Sequence, residues 1–339
     1  MSSKWLMTLT FRAEYLGLIL ASVSNPLLLY MLVFKASSAF GAYKHLMICY
    51  TLIEMVYSFI SFMTGMASHS TDSAYIVFQL YSGRVSRSIQ PLFLIDFCGI
   101  YFTLLLILVV HFIYRFLVVC HFKKIRWFEG YNLVPWIVIP IIFGFSNAFL
   151  KFWMFGENEY VTEKLRDIFM EHYGLRMDEV VYNGPNYYVC DDFGNCEKPM
   201  EIWATMIWIC VALMNCVLLM LYCGYRTFLK LAVKDPHASV RTVELQKQLM
   251  FALVLQALIP IVCMYIPILL LFISPMIRLA CGPYGNLVMG TLAIYPPIDQ
   301  FAILYIIKDF RMAIKNFFFP TKPSPSTQSS VAFVTRSSI

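Results

Sequence analysis

Residues 91–126 read PLFLIDFCGIYFTLLLILVVHFIYRFLVVCHFKKIR, and the rest of the chain is best understood from this segment. Its first part is apolar over about twenty residues, the length of a membrane-spanning helix. Arg115 then falls inside the apolar pattern, and Lys123, Lys124 and Arg126 follow it. A basic flank is typical of the cytoplasmic end of a span. Because an arginine in the last turn of a span is poorly placed for lipid, Arg115 predicts a cytoplasmic cavity or a protein partner.

The composition of the whole chain agrees with a membrane protein. Of its 339 residues, 60% are apolar and 14% are charged, which lies outside the range of ordinary soluble domains. The six histidines are dispersed, and the ten cysteines form no C-x-x-C pair. The sequence also has no nucleophile elbow or phosphate-binding loop. It therefore predicts neither an enzyme nor a bound metal or cofactor.

Seven apolar runs are long enough to cross a hydrocarbon core of about 30 Å. They cover residues 15–34, 46–64, 91–114, 133–152, 202–222, 249–273 and 284–307. With the N-terminus outside, sixteen lysines and arginines fall on the inner segments and nine on the outer ones. Basic residues mark the cytoplasmic side, so the N-terminus is predicted outside and the C-terminus inside. The predicted fold is an all-α membrane protein, a seven-transmembrane helix bundle.

The bundle has three predicted flanking parts. Residues 1–14 are predicted to be an extracellular N-terminus, ahead of a seven-transmembrane domain over 15–318. Within that domain, residues 308–318 are predicted to form an amphipathic helix, because basic and apolar side chains occupy opposite faces. Residues 319–339 are rich in Pro, Ser and Thr, which predicts a disordered cytoplasmic tail.

The long loop at 154–201 carries eleven acidic and four basic residues. Leu165, Ile168 and Phe169 predict a short helix with one apolar side. Cys190 and Cys196 are a candidate disulfide in an oxidising compartment, although Cys281 also lies in a loop and the pairing stays open. The acidic surface fits a solvated face, a vestibule that attracts cations, or a lid over a pocket.

A series of short motifs follows the spans in order. They read GAYKHLM at 41–47, HFIYR at 111–115, LQKQL at 245–249, QALIP at 256–260, YIP at 265–267, YPPID at 295–299 and KDFR at 308–311. Through them the chain resembles, over about residues 10–318, the str class of nematode chemoreceptors, a group that includes the class r-10 olfactory receptors. That resemblance implies a rhodopsin-like G-protein-coupled receptor with a small odorant as ligand and a heterotrimeric G protein as partner. It also implies the plasma membrane of sensory cilia.

The resemblance gives the end of the third span a role in G-protein coupling. Arg115 stands where rhodopsin-like receptors carry the arginine of Asp-Arg-Tyr, and the candidate coupling residues are His111, Tyr114, Arg115, Lys123, Lys124 and Arg126. An arginine can pair inside a closed bundle and then cap carbonyls of a partner helix once the bundle opens. Tyr114 replaces the usual acidic neighbour, so an ionic lock is not expected. The alternative is that Arg115 extends its side chain to the membrane–water interface, that is, that it snorkels.

Four prolines and one acid inside the last two spans are candidates for an activation switch. They are Pro260, Pro267, Pro296, Pro297 and Asp299. Each proline removes a helix hydrogen bond and loosens its span, which suits a hinge. Asp299 is expected to meet a polar partner such as Asn25. A purely structural polar cluster is the alternative to a switch.

The ligand is expected one to two turns below the outer surface. The candidate binding residues are Asp96, Phe97, Tyr101, Phe102, Trp203, Trp208 and Tyr265. An aromatic pocket with a few polar groups suits a small, weakly polar molecule. Aromatic residues at helical spacing also occur in ordinary core packing, and that alternative stays open. The disulfide of rhodopsin-like receptors has no cysteine at its expected position near Gln90.

Other membrane functions remain as alternatives. Glu54, Asp96 and Asp299 are the kind of intramembrane acids that proton-coupled transporters use. Against a transporter, seven spans do not divide into equal inverted repeats. A ligand-gated channel would need a polar stripe along a pore, and no span shows one. The sequence favours a receptor over both.

Overall fold

The computed structural model describes residues 3–36, 40–80, 86–191, 193, 195–233 and 240–318. In this part of the chain, seven helical segments are long and apolar enough, by length and composition, to cross a membrane. Six of them are the continuous helices α1 (Ser3–Phe34), α2 (Tyr43–Thr64), α3 (Gln90–Cys120), α4 (Leu133–Met154), α6 (Met200–Ala232) and α9 (Gly285–Ile306). The predicted seven-helix bundle is confirmed.

The sixth span is interrupted. It consists of α7 (Val240–Pro260), a π-helical turn (Ile261–Tyr265) and α8 (Ile266–Met276). Pro260 ends α7 and Pro267 stands in the first turn of α8, so the two prolines bracket the wide turn. A proline lacks the N–H that continues an α-helix, which explains why the helix loosens here.

Several helices are longer than the predicted spans. Hydropathy marks only the part of a helix that lies in hydrocarbon, whereas the helix itself continues into polar sequence. Helix α1 begins at Ser3, so residues 3–14, predicted as a separate leader, form its first turns. Helix α3 continues to Cys120, which places Arg115 inside the helix rather than at its end.

One end of the bundle carries a small sheet that the sequence did not predict; we call it the sheet end. Strands β1 (Met66–Ser70), β2 (Tyr75–Leu80) and β3 (Val180–Asn183) pair antiparallel in the order β1-β2-β3, with Ser68 opposite Val77 and Phe78 opposite Tyr182. Gly65 adopts φ 56°, a left-handed conformation that ends α2 and turns the chain into β1. The sheet thus connects the second span to the long loop.

The helix predicted in that loop is α5 (Glu159–Tyr173). It begins at Asn158, whose side chain accepts a hydrogen bond from the Val161 N–H at 2.9 Å, as an N-cap residue does. Its apolar side, Leu165 and Phe169, is buried against Phe78 and other residues of the sheet. Strands β4 (Val189–Cys190) and β5 (Cys196–Glu197) form a separate hairpin in the same loop.

Close contacts between backbones fix the helices of the bundle. A Cβ atom on Gly144 of α4 would approach the carbonyl oxygen of Gly99 on α3 to 2.7 Å, which is too close for a larger residue. Gly17 of α1 lies equally tightly against the backbone of Ala293 on α9. These glycines allow α3 to pack on α4 and α1 on α9.

The opposite end of the bundle is here called the basic end. It holds the 3₁₀ segment Phe122–Phe128 and the predicted amphipathic helix, α10 (Lys308–Phe318). Phe310 of α10 is fully buried and stacks on Phe40 with 5.9 Å between ring centres. The tail predicted over 319–339 lies outside the described residues.

Candidate functional site

A cavity of about 80 Å³ lies in the half of the bundle nearest the sheet end. Helix α3 contributes most of one wall, α6, α8 and α9 contribute the others, and the sheet forms the roof. The lining from α3 consists of Leu94, Phe97, Cys98, Tyr101 and Phe102. Almost all of the lining is apolar or aromatic, as in sites for small organic molecules.

Three of the seven predicted ligand residues line this cavity, namely Phe97, Tyr101 and Phe102. Tyr265 lies directly behind them, because its ring packs on that of Tyr101 with 5.7 Å between centres. The structure therefore brings these four side chains together at the depth that was predicted.

The other three predicted ligand residues do not line the cavity. Trp203 packs on Tyr187 and donates its indole N–H to the Tyr187 carbonyl at 3.1 Å. Trp208 is 53% exposed on the outside of the bundle and donates to Asn147 of α4 at 3.3 Å. Asp96 is one residue before Phe97 and only partly buried, since it points along another face of α3. Counting residues from Arg115 gave their depth but not their helix face.

The roof and one wall of the cavity were not predicted from the sequence. Met66, Tyr75 and Val77 reach it from the sheet, and Lys151 reaches it from the last turn of α4. The β-branched and aromatic run of β2, YIVFQL, is a strand signal that could have been found. The sequence feature that could have identified Lys151 is a single positive charge inside an apolar run.

Hydrogen bonds hold the roof to the bundle. Asn286 at the start of α9 closes the free edge of β1, because its Oδ1 accepts from the Ser68 N–H and its Nδ2 donates to the Ser68 carbonyl, both at 3.0 Å. Gln90 at the start of α3 donates to the Leu80 carbonyl at 3.0 Å. This bond joins the start of α3 to the end of β2. Cys190 and Cys196 form a disulfide within the β4–β5 hairpin.

Two histidines meet where α5 packs on the sheet, His69 of β1 and His172 in the last turn of α5. His69 Nδ1 hydrogen-bonds the Tyr173 hydroxyl at 3.0 Å, and the His69 and His172 rings are 5.2 Å apart. Burial, together with the repulsion from His172, lowers the pKa of His69 to about 4. Burial raises the pKa of Tyr173 to about 12. His69 is therefore expected to be neutral at pH 7, and the contact between β1 and α5 is expected to weaken in acid.

At the other end of α3, Arg115 is 1% exposed and lies inside the bundle. Its guanidinium carbon is 3.6 Å from the centre of the Tyr43 ring, and Nη1 donates to Gln246 Oε1 on α7 at 2.8 Å. A guanidinium stacked on an aromatic face and shielded from water gains a cation–π attraction of about 2 kcal/mol. A hydrogen bond from a charged guanidinium to an uncharged amide thus joins α3 to α7.

The six predicted coupling residues fall into two groups. His111, Tyr114 and Arg115 are buried, and the His111 ring packs between Tyr43 and Tyr50. Three others, Lys123, Lys124 and Arg126, are exposed on the 3₁₀ segment. In this conformation only the second group is open to a partner.

The prolines of the last two spans free backbone carbonyls, and side chains of neighbouring helices hydrogen-bond to them. Pro267 cannot donate to the Cys263 carbonyl, which accepts instead from the Thr291 hydroxyl at 2.6 Å. Pro296 likewise leaves the Leu292 carbonyl, which accepts from the Tyr57 hydroxyl at 3.3 Å. Despite Pro296 and Pro297, α9 remains one continuous helix. Of the sixth and seventh spans, only the sixth contains a π-helical turn.

Asp299 lies in a buried polar cluster between α1, α2, α7 and α9. Its Oδ2 accepts from Gln256 Nε2 at 3.5 Å. Asn25, the expected partner, is fully buried, but its side chain makes no hydrogen bond to any described residue. The Glu54 carboxyl is also fully buried, next to the Tyr50 hydroxyl. The cluster therefore holds more polar atoms than its own members satisfy.

Comparisons with known proteins agree with this architecture. A family model described as "Serpentine type 7TM GPCR chemoreceptor Str" matches residues 10–315. The "G-protein coupled receptor str-33" of Caenorhabditis elegans is 26% identical over 304 residues, which cover 88% of this chain and 87% of that protein. The "Serpentine receptor class r-10" of the same organism is 27% identical over 321 residues, covering 94% and 93%. Squid rhodopsin is similar in fold, with a TM-score of 0.59 at 10% identity over 93% of this chain and 85% of that one.

Proposed function

The chain belongs to the Str family of serpentine seven-transmembrane chemoreceptors, and on that premise we propose that it is a chemosensory receptor for small odorant-like molecules that activates a heterotrimeric G protein. The observation that supports this proposal is the arrangement of α3. One end of that helix forms a wall of the cavity, and the other end carries a buried arginine bonded to the sixth span.

The orientation is part of the proposal. We place the sheet end outside the cell and the basic end in the cytoplasm. Exposed Lys123, Lys124 and Arg126, together with the basic face of α10, then lie where positive charge accumulates in membrane proteins. The disulfide of the β4–β5 hairpin then lies in an oxidising compartment.

In the proposed mechanism the ligand changes a balance between two conformations. In the closed one, Arg115 is stacked on Tyr43 and bonded to Gln246. In the open one, the basic end of the sixth span moves away at the π-helical turn and Arg115 becomes accessible to the G protein. A ligand can favour the open state only by binding it more tightly than the closed one. The plasma membrane of chemosensory cilia is the proposed location, on the strength of the family alone.

The test is G-protein activation in cells that express the chain, measured over a panel of small volatile molecules. Arg115→Ala is expected to abolish evoked activity. Gln246→Leu removes the bond to Arg115, which is a hydrogen bond to a charged group, and is expected to raise activity without ligand by about tenfold. Gln248→Leu is the matched control, because Gln248 bonds the Lys308 N–H and Glu244 rather than Arg115.

Two outcomes would contradict the proposal. Evoked responses that persist in Arg115→Ala would show that the arginine does not transmit the signal. A ligand-evoked current that survives both that substitution and G-protein blockade would instead indicate a channel.

A further inference from the structure

The cavity beneath the sheet is small. Its volume of about 80 Å³ is roughly half that of an engineered cavity that holds benzene. Drug-sized ligands occupy pockets of about 300–1,000 Å³. The size therefore selects a molecule of about three to five non-hydrogen atoms.

The polar groups that line the cavity are mainly donors. The hydroxyl groups of Tyr75 and Tyr101 are both buried. That of Tyr75 has the Ser68 side chain as a hydrogen-bond partner, whereas that of Tyr101 has none among the described residues. A buried hydroxyl without a partner costs about 1–3 kcal/mol, so the Tyr101 site favours a ligand that supplies an acceptor.

Lys151 adds a positive charge to the same lining. Its Nζ lies 5.3 Å from the centre of the Phe102 ring and 5.6 Å from that of Phe272. Phe102 packs on Tyr101, and Phe272 packs on Tyr75, so the ammonium and the two tyrosine rings belong to one set of aromatic contacts around the cavity.

No acidic side chain in the described part of the chain pairs with that ammonium. The residues that line the cavity include no acid, and Lys151 makes no ion pair with any residue in the described part of the chain. The two aromatic faces attract the cation but offer it no hydrogen-bond acceptor. The helix C-terminus adds a favourable dipole without completing the site.

We propose that this cavity binds short-chain carboxylates, with Lys151 pairing with the carboxylate and the Tyr101 hydroxyl as a further donor. The alkyl group then lies against Phe97 and Met289. This inference rests on the proposed function, because it names the ligand class of the same receptor site. A ketone of equal length shares the acceptor chemistry but lacks the charge, and an amine of equal length is repelled.

The experiment measures binding directly, so that it does not depend on signalling. Purified full-length chain in lipid nanodiscs is titrated with propionate, propanone and propylamine, and ligand-detected NMR gives each dissociation constant. Propionate is expected to bind at least tenfold more tightly than propanone, and propylamine is expected not to bind. Lys151→Met should weaken propionate binding about 10- to 100-fold, as expected for the loss of one or two charge-assisted hydrogen bonds.

Lys198→Met is the matched control. Lys198 is also at the sheet end and also lies over aromatic rings, those of Tyr188 and Trp203, but it does not line the cavity. Its removal changes net charge equally and should leave propionate binding within twofold. Unfolding temperatures of the variants show whether each one is folded, and Lys151→Arg, which keeps the charge, should retain most of the binding.

The outcomes separate this inference from the proposed function. Propionate binding that depends on Lys151 but evokes no G-protein activity would support the ligand class and contradict the signalling role. Equal binding of propanone and propionate would overturn the inference, and so would binding that is unchanged in Lys151→Met or undetectable in the native chain. If the inference is overturned in this way, a G-protein response to neutral molecules alone would still support the receptor role.

Discussion

The two ends of the bundle are held together in different ways. At the sheet end, Asn286 ties α9 to both polar backbone groups of Ser68, the backbones of Ser70 and Gly282 exchange two further hydrogen bonds, and Gln90 ties α3 to β2. At the basic end, α3 is linked to the sixth span by the hydrogen bond from the charged Arg115 to Gln246. This difference predicts where a conformational change costs the least free energy. We expect the sheet end to keep one shape, whereas the proposed opening of the basic end requires the exchange of the Arg115–Gln246 bond.

The largest expected effect tests the rigidity of the sheet end. Asn286→Leu leaves the Ser68 N–H and carbonyl buried without their present partners, and we expect a loss of roughly 3–5 kcal/mol in the free energy of unfolding. The measurement is the unfolding temperature in detergent. Asn215→Leu is the matched control, because the exposed Asn215 amide donates only within its own helix, to the Val211 carbonyl. Equal effects of the two substitutions would show that the sheet end is no more tightly held than the helix surface.

A smaller effect concerns pH at the sheet end. The pKa of His69 is about 4 in the folded protein and about 6.5 in an unfolded chain, so between these values the unfolded chain binds more protons. The contribution of neutral His69 to the free energy of unfolding is therefore fully present above pH 6.5. It falls by about 3 kcal/mol as the pH drops to 4.

Unfolding temperatures at pH 7.5 and 4.5 check this window. His69→Gln, whose amide oxygen can still accept from Tyr173, should reduce the loss on acidification. His121→Gln changes an exposed histidine at the basic end and should leave the loss of stability on acidification unaltered. If His69→Gln loses as much stability on acidification as the native chain, the buried histidine is not its source.

The same comparison explains what the sequence could predict. Hydropathy was sufficient for the seven spans, because each apolar run has to be a helix in lipid. The apolar side of α5 was visible from Leu165 and Phe169. The sheet was missed because β1 and β3 have only five and four residues, and their pairing depends on contacts distant in sequence.

Individual side chains were harder to predict than helices. The depth of Phe97, Tyr101 and Phe102 followed from their distance to Arg115 along one helix. Trp208 was misplaced because the rotation of α6 depends on its contact with α4 through Asn147, which no pattern within α6 records. Gln246 was missed as the partner of Arg115 for the same reason, since their contact depends on how two helices pack.

In the proposed mechanism the basic end opens while the sheet end stays fixed. Double electron–electron resonance between spin labels at His121 and Lys247, both exposed at the basic end, measures the separation of α3 and α7. Labels at Glu171 and Met200 provide a reference pair at the sheet end. In Gln246→Leu we predict a new population at a longer His121–Lys247 distance and an unchanged Glu171–Met200 distance. An unchanged distance at the basic end, or a longer one at the sheet end, would contradict this mechanism.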